Sequence, residues 1–316
     1  MTGFINKLAI ATSVAVGMTA IGSAPAFALS LTNPQFGGSA ASDYLLYCSD
    51  GSSTFAGDTC TDSLSTILSG NSSAPGGNIE LAASSEQGGF DFSQNTTLTG
   101  TIGGKDIVIS SLTQADWITD MGNGKTLLSQ WLDDAFKAHD INIPFPTLFK
   151  PALEQAFVAN NGMQRFSDPN ISYINKNETT GEISIGLAGH FNASAMLQAS
   201  FGDATIPLPV SVPGVGTVIT EVRLADLVPD EVQASELVKV VYNNGPAQFL
   251  YSFAATESGQ VNNRGVGADG VSHDGNYEVK LAGVPVTSIP EPSTMFALLA
   301  VGGLFTTAKR KGAKNA

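Results

Sequence analysis

The feature that most limits the fold is a change of period along the chain. Strand-like runs stand in pairs around turns, and one helical stretch separates the first pair from the second. Residues 97–102 (TLTGTI) and 106–110 (DIVIS) flank Gly103-Gly104. Two glycines suit a two-residue hairpin turn because both of its central residues need positive φ. Residues 170–174 and 182–187 flank the turn-rich NKNETTG, and residues 237–242 and 248–253 flank Asn243-Asn244-Gly245-Pro246. Residues 277–281 read as a further strand.

Between the first two pairs the apolar residues fall at helical spacing. Thr113 followed by Asp116 has the form of a capping box, opening a short helix through Trp117 and Ile118. Leu128, Trp131, Leu132, Ala135 and Phe136 make one stripe, and Phe149, Leu153, Ala156 and Phe157 make a second. Gly162 is the expected residue just past the second helix. Strands, then helices, then strands predict an α+β fold: mainly antiparallel β-sheet, with a few short amphipathic helices inserted near residues 113–162. Residues 71–78 and 256–276, rich in Gly, Ser and Asn, read as surface loops. No internal repeat stands at a fixed period, so neither a solenoid nor a propeller is supported.

The two ends read differently from the body. Lys7, an apolar run over residues 8–21, helix-breaking Pro25 and Ala26-Phe27-Ala28 follow the order of a secretory signal peptide, with cleavage after Ala28. Three segments are therefore expected: a signal peptide over 1–28, an exported α+β domain over 29–286 and a C-terminal segment over 287–316. Residues 29–290 hold 10 Lys+Arg against 27 Asp+Glu, a balance of −17. Such a body has no basic patch to neutralise phosphates, which argues against nucleic acid and anionic lipid as partners. In an oxidising compartment Cys48 and Cys60 are expected to form one local disulfide, beside the alternatives of a buried thiol pair or an intermolecular bridge.

Motifs that invite a chemical reading fail on context. Residues 122–126 (GNGKT) end like a phosphate loop, but the position of its first glycine holds Thr119 and no strand leads in. Residues 265–270 match G-x-G-x-x-G by letter, yet loop residues follow where a helix is required. His139, His190 and His273 lack metal-ligand spacing. Asp133-Asp134 diverge by about 100° on a helix, which suits a solvated face better than a glycosidase pair. Trp117 and Trp131 could form a sugar-stacking platform, but Trp131 lies on the apolar stripe. Asp269, Asp274 and Glu278 offer oxygen ligands for calcium without matching an EF-hand loop. No catalytic residue, metal site or cofactor is expected.

The C-terminus orders three features: Pro290-Glu291-Pro292, an apolar stretch from Met295 to Ala308, and the basic residues Lys309-Arg310-Lys311. As a helix the apolar stretch extends about 21 Å, short of the roughly 30 Å hydrocarbon core. This tripartite order, behind a signal peptide, resembles the PEP-CTERM sorting signal of exported Gram-negative proteins. The resemblance implies recognition of Pro290, Glu291 and Pro292 by an exosortase, a membrane transpeptidase that cuts near that tripeptide. It also implies a transient hold on the inner membrane and delivery to the surface or the exopolysaccharide layer. A permanent tail anchor stands as the alternative for this segment. "ASDYLLYCSDG" and "GFDFSQNTTLTGTIGGKDI" more loosely resemble a cyanobacterial family of PEP-CTERM proteins with no known activity. The expectation is a non-enzymatic exported protein of the cell surface or extracellular matrix, whose partners during export are signal peptidase and the exosortase. A polysaccharide-binding or adhesin module, assisted by calcium, is the alternative, and a secreted hydrolase the third reading.

Overall fold

The computed structural model describes residues 28–56, 59–143, 145–264 and 272–285. In chain order its first strands are β1 (Ala28–Ser30), β2 (Thr32–Gly38), β3 (Tyr44–Ser49) and β4 (Ser53–Ala56). After a single helical turn, α1 (Leu64–Ile67), come β5 (Gly70–Asn71), β6 (Ala74–Pro75), β7 (Gly77–Leu81), β8 (Thr96–Ile102) and β9 (Lys105–Ser110). Four helices follow: α2 (Gln114–Trp117), α3 (Leu127–Ala138), α4 (Pro146–Ala159) and α5 (Gly162–Arg165). The chain continues through β10 (Asn170–Asn177), β11 (Ile183–Gly189), α6 (Ser194–Phe201), β12 (Thr205–Val212) and β13 (Gly216–Arg223). Its last strands are β14 (Val238–Tyr242), β15 (Gln248–Leu250), β16 (Ala255–Glu257), β17 (Val261–Arg264) and β18 (Gly275–Leu281).

A nine-stranded sheet runs β16-β18-β11-β10-β7-β3-β4-β17, with β1 pairing β10. A five-stranded sheet runs β15-β14-β9-β8-β2. Pairing is antiparallel except between β4 and β17. Alternation along the strands decides which faces meet. Ile79 and Leu81 of β7, Ile183, Ile185 and Leu187 of β11, and Val279 and Leu281 of β18 point to one side. They pack against Leu98, Ile107, Ile109, Val238 and Val240 of the smaller sheet. The result is a sandwich with an apolar filling, as period-2 patterning requires when one face is buried. Lys176, only 1% exposed, reaches across it to donate to the Tyr242 hydroxyl at 3.1 Å.

The helices form a second core around Trp117, Trp131, Phe149, Phe157, Phe166 and Phe201. Helices α2 to α6 lie in the two long connections, β9 to β10 and β11 to β14, and so lead off the paired strand ends Ser110/Lys239 and Asn170/Ala188. The expected α+β class holds, and each expected hairpin is present: β8–β9 with Gly103 and Gly104 at φ 59° and 73°, β10–β11, and β14–β15. The capping box is formed, with Thr113 N–H donating to Asp116 Oδ2 at 2.9 Å. Both apolar stripes are buried.

Three expectations need correction. Gly162 does not end α4: the left-handed residue is Asn161 at φ 58°, and Gly162 opens α5. Glycine is required there because a Cβ would lie 2.7 Å from the Phe157 ring. Residues 256–276 are not simply a surface loop, since they contribute β16 and β17 and bury Ser258, Gln260, Asn262 and His273. Residues 71–78 likewise end in buried Gly77 and Asn78 of β7.

Cys48 and Cys60 form the expected disulfide, with Cα atoms 5.1 Å apart. Cys48 sits in the sandwich core and Cys60 packs against it. Closing a loop of this length removes unfolded-state entropy worth about 3 kcal/mol. Cys48→Ser paired with Cys60→Ser is therefore expected to lower the midpoint of thermal unfolding by roughly 6–12 °C. Differential scanning calorimetry of the oxidised and reduced protein reads the same difference without a mutation.

Candidate functional site

Three carboxylates gather where the strand ends meet the helices. Glu80 lies on β7 beside inward-pointing Ile79 and Leu81, so alternation turns it to the opposite face. Its register partners are Leu45 on β3 and Asn170 on β10, and the Tyr47 hydroxyl donates to it. Asp168, in the link from α5 to β10, is 6% exposed and takes a hydrogen bond from Ser85 Oγ on its Oδ2. Its Oδ1 is buried without a partner. Glu236, just ahead of β14, accepts from the Asn170 backbone N–H at 3.0 Å and from Asn170 Nδ2 at 3.4 Å.

The local environment moves all three pKa values the same way. Loss of hydration pushes Glu80 up to about 7, against the Tyr47 hydrogen bond and helped by the charges of Glu86 and Asp43. Asp168 is held well above the usual carboxylate range by loss of hydration, then by the charge of Glu80. Glu236 is raised by loss of hydration, then by Asp168 and Glu80. Like charges at one poorly hydrated place cannot all ionise, so near neutral pH the group holds protons that isolated carboxylates would release.

The connection from β7 to β8 covers this seam and walls two clefts. The Asp43 carboxylate fixes its start by accepting from Ser84 N–H at 3.0 Å and Ser84 Oγ at 2.8 Å. One cleft, about 360 Å³, lies between residues 85–90 and the side of α5, with Asn161, Gln164 and Arg165 in its wall. Arg165 Nε donates to Glu86 at 2.8 Å, while its Nη1 is buried without a partner. The second cleft, about 410 Å³, is bounded by Ser42, Asp43, Phe90, Asp91 and Gln94 among others. Residues 40–43, ahead of β3, and residues 84–94, in the β7–β8 connection, thus meet at one cleft. Its lining mixes the polar side chains of Ser42, Asp43, Ser84, Gln87, Asp91 and Gln94 with Ala40, two glycines and the Phe90 ring.

The other candidates are dispersed. His139 Nε2 pairs with Gln233 O at 2.6 Å, and buried His273 Nδ1 pairs with Thr54 Oγ1 at 2.6 Å. Asp133 and Asp134 are half-buried, not solvated: Asp133 takes Lys125 at 2.7 Å and also Lys150, and Asp134 takes the Tyr251 hydroxyl at 2.7 Å. Both tryptophans are fully buried, which removes the stacking platform. Thr126 caps α3 by accepting from Ser129 N–H, so residues 122–126 are the turn before a helix. Asp274 Oδ1 accepts the Phe191 N–H at 2.6 Å and Glu278 Oε2 the Tyr173 hydroxyl at 2.9 Å. Among the described residues no three of His, Cys, Asp and Glu come together to hold a metal. Asp269, residues 265–270, Ala26, the apolar stretch from Met295 to Ala308 and both ends of the sorting segment lie outside the described residues. No described helix is long and apolar enough to cross a membrane.

The sequence beyond the sandwich carries the clearest relationship. A family model described as the PEP-CTERM protein-sorting motif matches residues 288–311. The chain therefore carries a PEP-CTERM sorting signal, which marks it as an exported, envelope-associated protein processed by an exosortase. No curated protein and no solved structure matches the chain.

Proposed function

We propose that the chain is a non-enzymatic protein of the cell surface or extracellular matrix, released or displayed after both of its terminal segments are removed. The observation that carries this reading is the sorting motif over residues 288–311, and the N-terminus, which reads as a signal peptide cut after Ala28, supports it. A cut after Ala28 leaves Leu29 and Ser30 in β1, paired with Lys176 and Asn175 of β10, so the mature chain starts inside its own sheet. The −17 balance of the body keeps it soluble and apart from phosphate-rich partners.

Mass spectrometry of the extracellular fraction tests the proposal. The expected mature chain begins at Leu29 and ends near Pro290-Glu291-Pro292. Replacing those three residues with alanine is expected to leave the segment from Met295 to Ala308 attached and the protein with the cells. A secreted wild-type protein that still carries this segment would overturn the reading.

A second reading, a polysaccharide-binding module, draws on the paired clefts under residues 82–95. Amide groups, Arg165 and Phe90 are the side chains that sugar hydroxyls and ring faces use. Binding on a glycan array that Arg165→Ala weakens would favour it, and EDTA treatment reports whether calcium takes part.

A further inference from the structure

We propose that two copies of this chain pair edge to edge through β13, forming a closed four-stranded sheet across a two-fold axis. Among the described residues the β12–β13 hairpin pairs only with itself, in register from Thr205↔Arg223 to Val212↔Gly216. Its two outer edges are chemically different. Pro207 and Pro209 interrupt β12, and neither has an N–H to give. A strand tolerates proline only where that N–H would face away from its partner, so both prolines mark the free edge of β12 and block it.

The same alternation fixes the edge of β13. Residues opposite the prolines are Glu221 and Ile219, and the next of the same parity is Thr217, opposite Ser211. In an antiparallel ladder such non-bonded pairs turn their N–H and C=O groups outward. The free edge of β13 therefore presents Thr217, Ile219 and Glu221 as unpaired donors and acceptors, and it contains no proline.

One face of the hairpin is apolar and continues the helical core. Ile206 is buried in that core, and Leu208 and Val222 pack against it. Further along the same face Val210 is 39% exposed and Val218 41%, while Ile219 on the other face reaches 60%. A second copy suits this edge on charge as well. Residues 204–220 contain no charged side chain, so the hairpin is a neutral region on a body whose balance is −17. Two bodies of like charge meet there with the least repulsion.

Pairing Ile219 with Ile219 of the second copy sets Thr217 opposite Glu221 and keeps like charges apart. All side chains of even number then share one face, so the apolar strips of the two hairpins join. The order becomes β12-β13-β13-β12, and proline stands on both outer edges. Such a sheet ends at two copies and does not grow into a fibre, the outcome an isologous contact requires.

Sedimentation equilibrium of the purified exported protein, from about 1 to 100 μM, reads the assembly in the range of ordinary specific contacts. A dimer is expected. Ile219→Pro removes one outward donor without touching the ladder to β12, because Ile219 faces Pro209 in a non-bonded pair. It is expected to weaken the dimer at least about 10-fold, a loss of about 1.4 kcal/mol, with an unchanged circular dichroism spectrum. A monomeric wild type, or an Ile219→Pro variant that remains as dimeric as the wild type, would overturn the proposal. Should Ile219→Pro fail to fold, hydrogen exchange on the wild type decides. Amides of Thr217, Ile219 and Glu221 protected only at high concentration support the pairing, and amides unprotected throughout refute it.

Discussion

Between pH 8 and pH 5 this acidic protein is expected to become more stable, and Glu80→Gln is expected to stabilise it at pH 8. The group at issue is the carboxylate set Glu80, Asp168 and Glu236. An unfolded glutamate titrates near 4.5, and Glu80 in the fold titrates at about 7. Between those values the native state binds more protons than the unfolded one, so stability falls as pH rises through the window. Below about 4.5 the contribution is complete, and above about 7 it is gone. At 1.36 kcal/mol per pKa unit, the shift of Glu80 alone is on the order of 3 kcal/mol. Asp168 and Glu236 shift in the same direction and share the protons, so the three effects do not simply add. Other carboxylates oppose the trend at lower pH. Hydrogen bonds from Ser52 and Ser53 lower Asp50 to about 2, and Asp91 and Asp133 are lowered as well. Their contributions are present at neutral pH and are lost as pH falls through the depressed values. Thermal unfolding followed by circular dichroism should therefore show a maximum at mildly acidic pH. Glu80→Gln, which keeps an acceptor for Tyr47 and removes the charge, should flatten the alkaline side of that curve. A wild type that gains stability steadily from pH 5 to pH 8 would contradict the assignment.

Those three residues illustrate what a sequence shows and what it conceals. Local devices were legible. Gly103-Gly104 and Asn243-Asn244 adopt the positive φ that their residue types favour, and they bring together the strands on either side. The stripe from Leu128 to Phe136 is buried along α3 because helical spacing alone puts those side chains on one face. The sorting segment was legible for the same reason, since its order is contiguous. Glu80, Asp168 and Glu236 stand far apart in the chain with no spacing to connect them, and only the ends of β7, β10 and β14 converge to unite them. Helix α6 escaped notice because its eight residues are too few to display a clear stripe, although Asn192 accepts from Ser194 N–H at its start. The segment around β17 misled in the opposite sense. Its Asn, Ser and Gln composition suggests solvent, yet Gln260 Nε2 donates to Ser49 Oγ at 2.8 Å and to Pro75 O at 2.9 Å. Polar residues bury well when each donor finds an acceptor, and composition does not record that pairing.

Trp131→Ala is expected to be the most damaging single substitution in the helical core, and Trp131→Phe one of the milder ones. The indole is fully buried, with ring centroids of Phe157 at 5.5 Å, Phe166 at 4.7 Å, Trp117 at 5.9 Å and Phe253 at 5.9 Å. Truncation to alanine empties the centre of that cluster at a cost of about 3–5 kcal/mol. The Nε1–H of Trp131, however, is buried without a partner. An orphaned buried donor costs about 1–3 kcal/mol, so phenylalanine removes a penalty while it opens a smaller void. Trp117 has the opposite balance, because its Nε1 donates to Ser167 Oγ at 2.7 Å. Trp117→Phe loses a hydrogen bond worth about 0.5–1.5 kcal/mol in addition to the lost volume. Chemical denaturation should therefore rank Trp131→Phe above Trp117→Phe, and both well above Trp131→Ala. This ranking separates packing from recognition: a stacking platform for sugars would lose ligand on Trp131→Ala and keep its stability. Unfolding of Trp131→Ala within about 1 kcal/mol of the wild type would show that the cluster does not hold the helices together. The expected large loss would mark the Trp131 cluster as the packing that holds α3, α4 and the 162–166 segment together.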